Sequence, residues 1–287
     1  MRPRSGHCGQ LANIFRIVRW KTIKYLPWLT TLSVDAPLVA LVWQEAYAAL
    51  WGAPIEWHHR GLLFASVWLG YAVDRWLDGW RSARQKSHRH DFYCAHRWGL
   101  FGFWCAVLCG AMALAFLCLQ SFELWRGWCL VASVLVYTGY AQTQSRSPHY
   151  KTIKALGIAV LIQASACLFP TPWTFIQVLH VPLLVGPIPL FALNCLMIES
   201  WEKCARAGAG SPPGAGLMML SGVGVVLALL NLLPAVPEAA EFVALSSIAS
   251  LILLWGLHAN WGRVDLAPRR TLADFCLLTP SIALLAT

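Results

Sequence analysis

Asp74 and Asp78 lie four residues apart in the stretch GYAVDRWLDGWR. On a helix that spacing puts both carboxylates on one face, about 6 Å apart. Two like charges stacked in this way repel unless a cation sits between them. Oxygen donors at this separation suit a hard divalent ion such as Mg2+, usually one shared with a phosphate. The competing reading is a helix end with two solvated acids facing Arg75 and Arg81. A second oxygen-rich stretch, LNCLMIESWEK, holds Asn194, Glu199 and Glu202. Asn194 and Glu202 are eight apart, about two turns, and again share a face. Two such helix ends on one side of a bundle favour the metal over solvated acids.

The elements that must carry these residues follow from composition. The chain has 287 residues, 58% of them hydrophobic and 12% charged. Its mean hydropathy is +0.56. Soluble domains carry about a quarter charged residues. A soluble enzyme, a disordered chain and a coiled coil are therefore excluded, and the expected class is an all-α, polytopic transmembrane helical bundle. Residues 98–122, 127–145, 155–198, 207–237 and 242–262 hold no Asp, Glu, Lys or Arg. A bilayer-spanning helix needs about 20 such residues. These runs are apolar on every face, unlike the alternating strands of a membrane barrel. The cysteines at 105, 109, 118, 129, 167 and 195 lie inside them and read as small apolar residues, not as a disulfide frame.

Nine spans are expected, at about 28–50, 60–80, 98–118, 125–143, 153–170, 175–198, 215–234, 240–260 and 271–286. Pro182, Pro187 and Pro189 predict a kink or break in the sixth. Of the 22 Lys and Arg residues, 20 fall on one side of this layout, and only Arg60 and Arg126 on the other. The positive-inside rule then gives a cytoplasmic N-terminus and an outer C-terminus. The formal charge of +9 thus belongs to membrane flanks and not to nucleic-acid binding. Residues 1–27 form a basic cytoplasmic segment without the pattern of a cleavable leader, and 28–287 the transmembrane domain. The chain is expected in a membrane of the bacterial cytoplasmic type. On this topology both oxygen-rich helix ends are cytoplasmic.

Nine spans with acidic motifs ending the second and sixth on the cytoplasmic side resemble the UbiA superfamily of intramembrane prenyltransferases. That family's first motif is Asn-Asp-x-x-Asp-x-x-x-Asp. Laid on residues 70–78 it matches at Asp74 and Asp78, with Gly70 and Tyr71 in place of the first Asn and Asp. The second motif has three acidic positions four apart, often with Asn first. Asn194, Ile198 and Glu202 fall there, with Glu199 beside the missing middle acid. Lys151 and Lys154 stand where the family often has basic residues. The likeness covers residues 28–286 in layout.

The resemblance implies a Mg2+-dependent transfer of an isoprenyl group from a prenyl diphosphate to a lipophilic acceptor. Asp74, Asp78, Asn194 and Glu202 would hold the metal, with Asp74 and Asp78 the catalytic pair. Arg81, Lys86, Lys151 and Lys154 would bind the diphosphate. Tyr71 and Glu199 would support these groups from alongside. Trp76 and Trp80, beside the first motif, could stabilise an allylic cation through their ring faces, although tryptophans also gather at membrane interfaces as belts.

Other patterns keep other readings open. His88, His90, Asp91, Cys94 and His96 could bind zinc or iron, or simply make a basic headgroup-contacting loop. Asp78, Gly79, Ala83 and Arg84 faintly resemble the signature of CDP-alcohol phosphotransferases. Asp35, Glu45 and Asp274 lie inside expected spans, where each should face the bundle interior and pair with a polar group. They admit an ion-coupled transporter. The replaced motif positions admit a catalytically inactive member of the same fold.

Overall fold

The computed structural model describes residues 29, 31–81, 95–143, 150–172, 180–207, 214–232 and 240–284. The basic segment 1–27, Lys86, His88, His90, Asp91 and Cys94 lie outside them, as do the side chains of Asp78, Trp80 and Arg81. Every regular element among the described residues is helical. In chain order these are α1 (Asp35–Trp51), α2 (Trp57–Arg81), α3 (Arg97–Cys118), α4 (Ser121–Thr143), α5 (Tyr150–Cys167), α6 (Val181–Val185), α7 (Pro187–Ala207), α8 (Ala215–Leu230), α9 (Ala240–Ala259), α10 (Leu266–Phe275) and α11 (Thr279–Leu284). Helix covers part or all of each expected span. Three helical stretches are long and apolar enough to cross a bilayer: Arg97–Cys118, Val181–Ala205 and Ala240–Ala259.

The departures from expectation have local causes. α1 begins at Asp35 and not near residue 28, because Ser33 takes a left-handed φ of 58° that ends any helix before it. Its other end closes on Gly52, also left-handed, whose N–H reaches the carbonyls of Ala48 and Ala49. The expected proline kink or break is only an interruption at Gly186, between α6 and α7: Gly186 keeps helical φ and ψ and its N–H reaches the Pro182 carbonyl at 2.8 Å, while Pro187 and Pro189 offer no N–H to the preceding turn. α7 then runs on to Ala207, past the expected end at 198, so Glu199 and Glu202 are helical. The ninth expected span is broken into α10, a 3-10 turn over Cys276–Leu278, and α11.

α7 is the central helix. Leu190, Leu193, Asn194, Met197, Trp201 and Cys204 are buried. Their spacing of three and four makes one continuous stripe. α5 packs along α7, and α8, α9 and α10 also touch it. On α5, Ala155, Ala159, Ile162 and Ala166 are buried at helical spacing. The small alanines let the two backbones approach, as helix contacts in hydrocarbon require. α3 lies against α2 and has no buried residue at all. Leu100, Trp104, Val107 and Leu108 pack on α2, and the rest of this all-round apolar helix has the surface of one bathed in lipid.

Several buried polar groups find partners inside the bundle, as burial in an apolar medium favours. Trp43 Nε1 donates to the Leu277 carbonyl at 2.9 Å. Tyr47 Oη donates to the Leu183 carbonyl at 2.7 Å. Trp201 Nε1 donates to His258 Nδ1 at 3.1 Å. Arg269 lies over the rings of both Trp201 and Trp261. Glu45 corrects an expectation. It does not face the interior but grips Arg60 with both oxygens near the surface, through Nε at 2.5 Å and Nη2 at 3.1 Å.

Candidate functional site

The C-terminal ends of α2 and α7, the N-terminal end of α5 and helix α10 meet at one end of the bundle. Ion pairs join them. Lys154 Nζ of α5 sits 2.9 Å from Asp74 Oδ1 of α2. Lys151 Nζ of α5 sits 2.6 Å from Glu199 Oε1 of α7. Lys203 shares that same oxygen at 3.0 Å, one turn along α7. Arg270 Nη2 of α10 sits 2.6 Å from Glu202 Oε1. Two helix ends that the sequence singled out, and the two lysines matched to the family's basic positions, are thus brought to one rim. Among the described residues of this row, Lys151, Lys154, Lys203 and Arg270 face Asp74, Glu199 and Glu202.

Tyr71 and Asp74 line a cavity of about 110 Å3 between α2, α4 and α5. Its walls are mostly aliphatic, including Val67, Leu130, Val134, Ile158 and Leu161. Asp74 is the one charged group among the described lining residues. Tyr137 and Thr138 supply further hydroxyls, and Tyr137 Oη donates to the Lys154 carbonyl at 3.1 Å. Gly157 fixes the place of that tyrosine: a Cβ there would collide with the Tyr137 ring. Gly70, where the family motif has Asn, also lines the cavity, and a Cβ at this position would meet no atom within 4 Å.

The remaining expected ligands point elsewhere. Asn194 Nδ2 donates to Asp274 Oδ1 at 2.7 Å, and Asn194 is not part of the cavity wall. Glu202 faces Arg270. Eight residues of helix separate Asn194 from Glu202 by about 12 Å along the axis. No single Mg2+ ion, with ligand bonds of about 2.1 Å, spans them. Among the described residues no three His, Cys, Asp or Glu side chains are grouped to hold a metal. For Mg2+ the donor chemistry fits at Asp74, whose side chain is 36% exposed beside the cavity, with Asp78 one turn further on the same helix. Asp74, Glu199 and Glu202 are each paired with a cation, Lys154, Lys151 and Arg270, and of the three only Asp74 borders the cavity.

Trp76 does not border this cavity. It stacks on Phe101, with ring centroids 5.9 Å apart, and lines a separate apolar cavity of about 170 Å3 between α2 and α3. The aromatic rings beside Asp74 are those of Tyr71 and Tyr137. Sequence reasoning missed Tyr137, Arg270 and the tie between Asn194 and Asp274. Asp274 alone carried a signal, as an acid inside an apolar run. No family model, curated protein or solved structure matches this chain.

Proposed function

We propose that the protein is a multi-pass intramembrane transferase of UbiA-like layout, with nine spans and a cytoplasmic N-terminus. It moves an isoprenyl group from its diphosphate to a lipophilic acceptor, with Mg2+ at Asp74 and Asp78. The observation that carries this reading is the aliphatic cavity whose one charged lining residue, Asp74, is held by Lys154. A ligand with a hydrocarbon tail suits the aliphatic wall, and an anionic head suits Lys154 with a metal ion held at Asp74. The tail lies along Val67, Leu130, Val134, Ile158 and Leu161. The head lies at the rim, beside Lys151, Lys154 and Lys203.

The chain's own groups then have definable work. Lys154 can turn from Asp74 to a phosphate oxygen, and Lys151 and Lys203, which share one carboxylate, supply the excess positive charge. Mg2+, when bound, neutralises the charge that builds on the leaving diphosphate. The allylic C–O bond breaks with its electron pair going to the diphosphate. The faces of Tyr71 and Tyr137 stabilise the carbocation that remains. The acceptor forms the new bond to that carbon and releases a proton.

Equilibrium binding of a radiolabelled prenyl diphosphate to the protein in lipid nanodiscs tests the reading. Saturable binding that is lost on adding EDTA and restored by Mg2+ is expected. Binding indifferent to the metal, or none, would overturn it. Ion uptake into vesicles that needs Asp35 but not Asp74 would favour a carrier instead.

A further inference from the structure

The second cavity lies on the far side of α2 from Asp74. Trp68, Ala72 and Trp76 are four residues apart and form one stripe of α2. Ala72 and Trp76 each stand two positions from Asp74, about 200° around the helix and so nearly opposite it. Across from the stripe are Leu100, Phe101 and Trp104 of α3, and these side chains line a cavity of about 170 Å3. No charged or hydroxyl-bearing side chain borders it. Two of its three indoles commit their N–H groups to backbone: Trp68 Nε1 donates to the Leu32 carbonyl at 2.9 Å, and Trp104 Nε1 to the Leu69 carbonyl at 3.1 Å. The third, Trp76, stacks on Phe101. An apolar space of about 150 Å3 stays dry and accepts a hydrocarbon guest. Phe101 is 44% exposed, so this wall of the cavity faces the lipid side of α3.

Charge at one end of the cavity decides what fills it. Arg97 opens α3, one turn before Phe101. Its guanidinium lies over the exposed Trp98 ring, 5.5 Å from the centroid, and among the described residues no carboxylate pairs with it. An arginine and a tryptophan side by side at the end of an apolar helix mark the level of lipid headgroups. A dry slot with a cation one turn from its end is complementary to a hydrocarbon chain that carries an anionic head. We propose that this cavity holds one acyl chain of an anionic phospholipid from the surrounding bilayer, with the lipid phosphate on Arg97 and the chain between α2 and α3. The proposal does not rest on the diphosphate reading, since the chain lies against the face of α2 opposite Asp74. Lipid seated here braces the same helix that presents Tyr71 and Asp74 to the other cavity.

The test uses the full chain in lipid nanodiscs with a phosphatidylglycerol that carries a photoreactive diazirine on its acyl chain, the labelled residues being mapped by mass spectrometry. Label concentrated on residues 68–76 and 100–104, saturating at one lipid per chain, is expected. Unlabelled phosphatidylglycerol should chase it better than phosphatidylcholine does. Arg97→Gln should weaken the chase by phosphatidylglycerol about fivefold, the worth of one basic residue near an anionic surface. Ala72→Leu, which fills the slot, should lose label there and keep it on the other lipid-facing helices, while Asp74→Asn should leave the pattern unchanged. Where Ala72→Leu does not fold, wild-type competition and the exposed Arg97→Gln substitution still decide. Label spread over α3, α4 and α8 in proportion to their exposure would overturn the proposal. So would equal competition by phosphatidylcholine, or a prenyl diphosphate that displaces the label better than phosphatidylglycerol, which would give the cavity to an isoprenyl tail.

Discussion

Asp74→Ala is expected to weaken Mg2+-dependent prenyl diphosphate binding by more than about 100-fold, while changing stability little. The two effects separate because they depend on different surroundings. On the proposed function, removing Asp74 takes away the charge that would hold the ion, and losses of that size are usual for groups that hold a metal or a developing anion. The Lys154–Asp74 ion pair itself adds little to folding. Asp74 is 36% exposed on its side chain, so solvent screens the pair, and exposed pairs contribute about 1 kcal/mol or less. Asp74→Asn should behave as Asp74→Ala does in binding, with an unchanged melting temperature. Equal binding by wild type and Asp74→Asn would remove this residue from the site.

Trp43→Ala is expected to be the most damaging single change to the fold, at about 3–5 kcal/mol. Trp43 is completely buried. Its ring meets Phe191 of α7 edge to face, with centroids 5.4 Å apart, and its indole N–H holds the Leu277 carbonyl. One side chain thus ties α1 to the central helix and to the broken C-terminal segment. Loss of the ring leaves a cavity, and loss of the donor leaves a buried carbonyl unsatisfied, itself worth about 1–3 kcal/mol. Trp43→Phe keeps most of the packing and should cost far less. The check is unfolding in denaturing detergent, with proteolysis of residues 266–284 as the local readout. A Trp43→Ala protein as stable and as protease-resistant as the wild type would contradict this view of the core.

Much of the architecture is readable from hydrophobic runs. An apolar helix such as α3, with no fully buried residue, announces itself in composition because apolar surroundings, lipid and α2, dictate residues on every face. The central stripe of α7 is legible for the same reason, since Leu190, Leu193, Met197 and Trp201 repeat at helical spacing. The interruption at Gly186 follows from the prolines that flank it. Segment ends are less legible. The late start of α1 depends on the backbone turn at Ser33, which no hydropathy pattern encodes.

The site was legible in its parts but not in its pairing. Spacing puts Asp74 and Asp78 on one face, but it does not reveal that Lys154 of α5 answers Asp74. Topology placed Glu199 and Glu202 at the same rim, yet their partners, Lys151 and Arg270, come from helices distant in sequence. Asn194 is the clearest case. Its place in the motif predicts a Mg2+ ligand, whereas its amide is taken by Asp274, 80 residues away in sequence. Long-range contacts of this kind follow from helix packing, which a single sequence specifies only collectively.

A structure of the protein bound to Mn2+, in place of Mg2+, and a non-cleavable prenyl diphosphate analogue tests the account most directly. The expected result is an anomalous Mn2+ signal at the Asp74 carboxylate, with Lys154 turned onto a phosphate oxygen and the tail between α2, α4 and α5. An analogue seated elsewhere, or a metal that leaves Asp74 still bound to Lys154, would contradict it.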